Sequence, residues 1–254
     1  MFELDGKVAV VTGGARGIGK GICMSLAKQG AKVVIADLLE EEAQKTATEI
    51  EQAGGTALAI KCDITDLESV KVLAIQTRMQ LGPVDILVNN AGWDRMMPFM
   101  KSEPAFWDKV IAINFKGTLN CIFTMAPDMM EKNSGRIISI ASDAGKVGSM
   151  GESVYSGAKG AVIAFSKTLA RELARNKICV NVVCPGPTDT PLIDDMKQAS
   201  EFASKVLSNM DKIIPLKRTG KPEDVGSTVA FLASEEAGFI TGQVLSVSGG
   251  LTMC

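Results

Sequence analysis

Seven short apolar runs, at positions 8–11, 32–36, 56–61, 86–88, 136–140, 179–183 and 243–247, alternate with stretches of helical periodicity at 17–29, 39–52, 67–81, 103–132, 155–175 and 222–233. Few architectures satisfy that alternation. Short runs that are apolar throughout are strands buried on both faces, and strands separated by helices run parallel because each parallel pair needs a crossover. The expectation is an α/β chain with one mostly parallel seven-stranded sheet, doubly wound, with helices on both faces. Within the 254 residues no Pro-, Gly- or Ser-rich stretch separates two halves, and no repeat or low-complexity segment interrupts the pattern, so residues 1–254 are expected to form a single domain. Segment 188–221 stands apart: it is rich in Asp, Lys, Met and Ser and has no strand pattern. Long inserted segments in compact domains are typically lids or binding loops, so a substrate cover is expected there.

Composition excludes several function classes. The net charge is −2 and no Lys/Arg cluster stands out, so no nucleic-acid partner is expected. The opening Met1-Phe2-Glu3-Leu4-Asp5-Gly6 is acidic, and no apolar run approaches the roughly 20 residues of a membrane helix. A soluble cytoplasmic protein with no membrane partner is therefore expected. Cys23, Cys62, Cys121, Cys179, Cys184 and Cys254 are scattered, mostly within apolar segments and without a C-x-x-C pair, as reduced buried thiols of a cytosolic protein would be. The chain has no histidine, which rules out Ser-His-Asp triads and His-ligated zinc. No metal site is expected, because Cys179 and Cys184 have no third or fourth ligand nearby.

With histidine absent, the best proton carrier is Tyr155, four residues before Lys159 and thirteen after Ser142. Residues at i and i+4 share a helix face, so the Lys ammonium lies near the phenol and favours its phenolate. A phenol that ordinarily titrates near pH ~10 is thereby expected to become an acid/base close to neutrality. Upstream, Thr12-Gly13-Gly14-Ala15-Arg16-Gly17-Ile18-Gly19 follows the first strand and opens a helix. Glycines there allow a sharp turn and close approach of a pyrophosphate to the helix N-terminus, although a tight β–α turn wants glycine without any ligand. The second strand ends at Asp37, placed either to accept ribose hydroxyls or to cap the following helix. Its carboxylate would repel a 2′-phosphate, favouring NAD over NADP, whereas Arg16 would attract one. The fourth strand ends in Asn89-Asn90-Ala91-Gly92, small enough for close approach of a flat ring.

In these ordered motifs, together with Asn114 and Pro185-Gly186, the chain resembles the short-chain dehydrogenases/reductases over essentially its full length. The resemblance implies a single doubly wound Rossmann-type domain that binds NAD(P), with NAD favoured here by Asp37, usually in a homotetramer joined partly through the helices carrying Asn114 and Tyr155. It makes Tyr155 the general acid/base, Ser142 the group that orients the substrate oxygen, Lys159 a ligand of the nicotinamide ribose that also lowers the phenol pKa, and Asn114 the holder of a relay water. It places Gly13, Gly17, Ile18 and Gly19 at the phosphates with Arg16 in the same loop, Asp37 at the ribose, Asp63 and Ile64 near adenine, and Asn90, Ala91 and Gly92 along the groove. Pro185 and Gly186 follow the sixth strand, where Thr188 and Thr190 are expected to reach the nicotinamide amide or the phosphates.

Substrate walls are expected from Trp93, Asp94, Arg95 and Met96, from Asp143 through Gly151, from Pro187, and from the lid between Leu192 and Met210. Strings such as Gly92-Trp93-Asp94, Ala141-Ser142-Asp143-Ala144 and Ser248-Gly249-Gly250-Leu251-Thr252-Met253 are similar to those of family members that oxidise cyclic 3-hydroxyacyl-CoA thioesters. That likeness implies a small-molecule CoA thioester such as 2-hydroxycyclohexane-1-carboxyl-CoA, with Lys146, Lys197 and Lys205 near its phosphates. The alternatives are a 3-oxoacyl-carrier-protein reductase, which commonly prefers NADPH, a general secondary-alcohol dehydrogenase, and a non-catalytic NAD-sensing regulator. The intact Ser142, Tyr155, Lys159 and Asn114 argue against the last, since a binder needs no proton relay.

Overall fold

The computed structural model describes residues 2–199, 201–208 and 210–254. Positions 200 and 209, both within the expected lid, and Met1 lie outside the described residues. In chain order the elements are β1 (Val8–Thr12), α1 (Gly17–Lys28), β2 (Lys32–Asp37), α2 (Glu40–Gln52), β3 (Thr56–Lys61), α3 (Leu67–Gln80), β4 (Ile86–Asn89), α4 (Pro104–Ile111), α5 (Gly117–Lys132), β5 (Gly135–Ile140), α6 (Ala144–Val147), α7 (Ser153–Leu173), β6 (Ile178–Pro185), α8 (Pro191–Ala199), α9 (Glu201–Leu207), α10 (Met210–Ile213), α11 (Pro222–Ala233) and β7 (Val244–Val247).

The strands form one parallel seven-stranded sheet in the order β3-β2-β1-β4-β5-β6-β7. Successive side chains of a strand point to opposite faces, and the core divides accordingly. Ala9, Val11, Val33, Ile35, Ile138 and Ile140 pack with α1, α2 and α11. Val10, Val34, Ala36 and Ile137 pack on the other side with α3, α5 and α7. Both faces being covered, β1, β4, β5 and β6 are buried along their whole length, which is why these segments are apolar without alternation. The chain reverses its direction of travel across the sheet between β1 and β4, opening a crevice at their carboxyl ends.

The helical stretch expected at 103–132 is not one continuous helix. It starts at Pro104 and is interrupted at Ala112–Lys116 by a wider π turn containing Asn114. The cause is the Asn114 amide, which donates to Val110 O at 2.9 Å and to Trp93 O at 2.6 Å, fixing an extra residue in the turn. Among its described residues, segment 188–221 carries the three short helices α8 to α10. Met196 and Ala203 of this segment are buried against Met96, which ties the cover to the loop after β4.

Helix α1 holds its place through close contact with α11. A Cβ on Gly226 would lie 2.3 Å from Ser25 Oγ and 2.5 Å from Gly21 O, so the two helix backbones approach nearer than any larger residue allows. Gly226→Ala is therefore expected to push α1 from α11 and cost about 1–3 kcal/mol of unfolding free energy. Urea unfolding of the purified variant measures this, and an unchanged midpoint would show that the helices have room to adjust.

Candidate active site

The crevice is a cleft of about 730 Å³, within the range of cofactor and small-ligand sites. Two loops make its floor. After β1, Gly13 adopts φ +63° and Gly17 φ +55°, and a Cβ on Gly19 would stand 1.9 Å from Gly13 O. After β4, the Asn90 amide donates to Thr12 O at 2.9 Å and Gly13 O at 3.0 Å. Thr12 Oγ1 in turn accepts the backbone N–H groups of Asn90 and Ala91. The glycine loop is thus stapled to the β4 end, leaving the N-terminus of α1, which has no side-chain cap, at the cleft.

Asp37 combines the two roles open to it from sequence. Its carboxylate accepts Ala15 N–H and Leu39 N–H, each at 3.0 Å, while lining the cleft. It therefore shapes the glycine loop and presents negative charge where β2 ends. Arg16 also lines the cleft and pairs with Asp195 of α8 at 3.4 Å, joining loop to cover. Asp63, whose carboxylate accepts Thr65 N–H and Oγ1–H, lines the cleft with Ile64. At the carboxyl end of β6, Pro185, Gly186, Pro187, Thr188 and Thr190 line it too, and Thr190 lies across from Gly17. Glycines that no Cβ can replace, a capless helix end and a cleft of this size fit a dinucleotide along Gly13, Gly17, Asp37, Asn90 and Thr188.

Ser142, Tyr155 and Lys159 meet at one side of the same cleft. Ser142 follows β5, its Oγ accepting Ala144 N–H at 3.1 Å, which starts the short helix α6. Tyr155 and Lys159 lie one turn apart on α7. Lys159 is 4% exposed and its Nζ donates to Ile140 O at 2.9 Å, with the Tyr155 ring centroid 5.6 Å away. Burial pulls the ammonium down to about 8. The Tyr155 phenol departs from expectation. Burial first, then the charges of Glu152 and Asp94, push it above its ordinary value, against a smaller downward pull from the Ser142 hydrogen bond. The neutral phenol is thus favoured in this protein-only cleft, since Lys159 is directed at Ile140 O and the two carboxyls oppose phenolate. Asn114 Oδ1 accepts Trp93 N–H at 3.2 Å. A Cβ on Gly92 would come 2.9 Å from that Oδ1 and 3.4 Å from Lys159 Nζ, so the two polar groups converge on Gly92.

Of the expected substrate walls, Trp93, Asp143, Ala144, Pro187, Leu192 and Met196 line the cleft. Asp94, Arg95 and Met96 do not. Met96 is taken into the cover's core, the Arg95 guanidinium lies over the Phe106 ring at 5.6 Å, and Asp94 faces a separate small cavity. Lys146 is turned from any phosphate: its Nζ donates to Ser246 Oγ, Val244 O and Cys254 O. Lys197 pairs with Asp194 at 4.0 Å. The cysteines are buried except Cys254, which is exposed.

Residues 13–252 match the family described as enoyl-(acyl carrier protein) reductase. The chain is 40% identical over 251 residues to nodulation protein G of Azospirillum brasilense, covering 96% of this chain and 98% of the relative. It is 40% identical over 248 residues to the 3-oxoacyl-[acyl-carrier-protein] reductase FabG of Staphylococcus aureus, covering 97% and 98%. It is 37% identical over 256 residues to the oxidoreductase UcpA of Salmonella typhimurium, covering 100% and 97%. The chain is a short-chain dehydrogenase/reductase. As such it is an oxidoreductase of CH–OH groups that uses a nicotinamide cofactor.

Other groups of this dehydrogenase's cleft escape a motif-based reading. Lys109, whose Nζ stands 3.9 Å over the Trp93 ring, Ile113, Glu152 and Ile213 all border it. Only the periodicity of α4 hints at Lys109, and nothing local distinguishes Glu152 from an ordinary acid at a helix start. Gly19→Ala puts a methyl group into the Gly13 carbonyl, so dinucleotide affinity is expected to fall roughly tenfold or more, about 1.4 kcal/mol or above. Titration of cofactor fluorescence measures it, with circular dichroism to show the sheet intact; wild-type affinity would contradict the cradle.

Proposed function

We propose that this short-chain dehydrogenase/reductase oxidises a secondary alcohol to a ketone with NAD, the alcohol being a cyclic or linear 3-hydroxyacyl-CoA such as 2-hydroxycyclohexane-1-carboxyl-CoA. The observation that carries the reading is the convergence of Ser142, Tyr155 and Lys159 on the cleft that the glycine loop borders. In this reading Ser142 orients the substrate oxygen and Tyr155 takes the hydroxyl proton, while the nicotinamide supplies the hydride acceptor when bound. Removing the proton as the carbonyl develops lowers the barrier to hydride departure, and in the reverse direction the same phenol donates. Lys159 would bind the nicotinamide ribose, and Asn114 Oδ1, converging with Lys159 on Gly92, would hold the relay water.

NAD is favoured over NADP because the Asp37 carboxylate stands at the end of β2 and the Arg16 cation is engaged by Asp195. The thioester is supported by an apolar wall of Trp93, Ile113, Val147, Leu192, Met196 and Ile213 around the cleft. Residues 1–254 would act as one cofactor-binding domain under the cover at 188–221. Exposed Ile111, Phe123 and Met130 on and around α4 and α5 offer apolar surface for a homotetramer. Among the described residues no helix is long and apolar enough to cross a membrane, and a cytoplasmic location suits the five buried free thiols. A second reading, reduction of a 3-oxoacyl group on carrier protein, is favoured by the 40% identity to a reductase of that name.

Two experiments separate these readings. For the substrate, kcat/KM is expected to be roughly tenfold or more higher on 2-hydroxycyclohexane-1-carboxyl-CoA than on the free acid or cyclohexanol, because binding of the remote CoA positions the carbinol. Equal activity on the free alcohols leaves a general secondary-alcohol dehydrogenase, and faster NADPH-dependent reduction of 3-oxoacyl-carrier protein supports the second reading. For the cofactor, Asp37→Ser is expected to weaken NAD use and strengthen NADP use, by on the order of 1–3 kcal/mol per charge-assisted contact. A wild type that already prefers NADP contradicts the role given to Asp37.

A further inference from the structure

A separate cavity of about 10 Å³ is lined by Asp94, Gly151, Glu152 and Tyr155 among others. That volume suits about one water molecule. Asp94 is 4% exposed and its Oδ2 is buried with no hydrogen-bond partner. The loop after β4 is fixed against the turn before α7 by Met97 N–H donating to Gly151 O at 2.8 Å, so Asp94 and Glu152 are held near one another as well as near the phenol. The nearest cation, Arg95, offsets Asp94 only in part, its guanidinium lying over the Phe106 ring, and Lys159 is drawn to Ile140 O. A buried carboxyl oxygen without a partner is costly, and such groups gather at sites where a proton has to be controlled.

We propose that Glu152 and Asp94 together are positioning residues that set the acidity of the Tyr155 phenol, so that the ionisation of Asp94 beside Glu152 governs the pH dependence of the reaction. This rests on Tyr155 being the acid/base. The physics is like-charge repulsion across a poorly solvated cavity. The groups facing the phenol are Asp94 from the loop after β4, Glu152 and Lys159 from α7, Ser142 from the loop after β5, and Cys184 from β6. The Cys184 thiol is pushed up to about 11 by burial and stays neutral. Asp94 itself is faced by Glu152 and by Arg95, whose backbone N–H and guanidinium oppose the rise. Burial and Glu152 together push it up to about 7. Burial raises Glu152 as well, against a hydrogen bond from Ser149. Below that pH Asp94 is neutral and phenolate is less disfavoured; above it the new anion resists phenolate formation. The coupling therefore favours proton donation by Tyr155, the ketone-to-alcohol direction, as pH rises through neutrality, and holds back alcohol oxidation until the medium is more alkaline.

Tyr155 is the only tyrosine in the chain, so its Cζ resonance in protein labelled with carbon-13 tyrosine reports one site without any assay of turnover. We expect that resonance to inflect near pH 7 in the wild type, to lose the inflection in Asp94→Asn, and to inflect at lower pH in Glu152→Gln. The acid limb of kcat/KM for alcohol oxidation should move to lower pH in both variants, by on the order of 0.5–1 unit. A purely structural Asp94 would lower the melting temperature and leave no inflection to lose. No inflection in the wild type, or one that neither variant alters, overturns the proposal. Should Asp94→Asn fail to fold, the position of the inflection in Glu152→Gln decides alone. An inflection that behaves as expected beside an unmoved acid limb upholds the coupling and overturns Tyr155 as the acid/base, so the two failures are told apart.

Discussion

The cleft depends on the join between the carboxyl ends of β1 and β4. Parallel neighbours whose chain connections run in opposite directions across the sheet leave a gap, and here one side chain from each edge spans it. Asn90 donates from its amide to two carbonyls of the glycine loop, and the Thr12 hydroxyl accepts two backbone N–H groups from beyond β4. Four bonds across the gap hold the glycine loop in a left-handed path it would not choose in isolation. The orientation of α1, the exposure of its N-terminal N–H groups and the position of Asp37 against Ala15 all follow from that path. Replacement of either side chain would strand buried backbone groups, each worth about 1–3 kcal/mol.

The second governing influence is burial of charge. Lys159 loses part of its hold on its proton because it is nearly enclosed, and the phenol beside it is kept protonated by the same enclosure and by two carboxyls. Proximity of Tyr to Lys along a helix is therefore not sufficient to make phenolate. What the surrounding elements bring matters more, and here they bring negative charge from Asp94 and Glu152. A cationic ring entering the cleft would add the opposite charge and make phenolate less unfavourable.

Much of this was legible in the sequence, for physical reasons that differ from element to element. Strands β1, β4, β5 and β6 are apolar on both faces because helices cover both, so their positions could be read directly. Asp37 and the glycine loop were legible because a sharp turn and an acidic strand end each restrict residue type. The π turn at Ala112–Lys116 was not, because it keeps the apolar spacing of a helix and is created by Asn114 reaching Trp93, 21 positions away. Lys146 shows the same limit: the resemblance implied a place near the thioester's phosphates, whereas the fold brings Cys254 O and Ser246 to its ammonium. Asp94, expected as a substrate wall, instead faces the separate small cavity, where the loop after β4 meets Gly151 across more than fifty residues.

In the proposed reaction the Tyr155 oxygen exchanges the proton while the rest of the cleft binds. Tyr155→Phe removes that oxygen and keeps the ring, so the direct measurement is steady-state oxidation of a secondary alcohol by this variant, alongside its affinity for NAD. The account predicts turnover lower by roughly 10²–10⁴-fold with NAD affinity nearly unchanged. Turnover within about tenfold of wild type would be too small a loss for removal of a general acid/base and would contradict it.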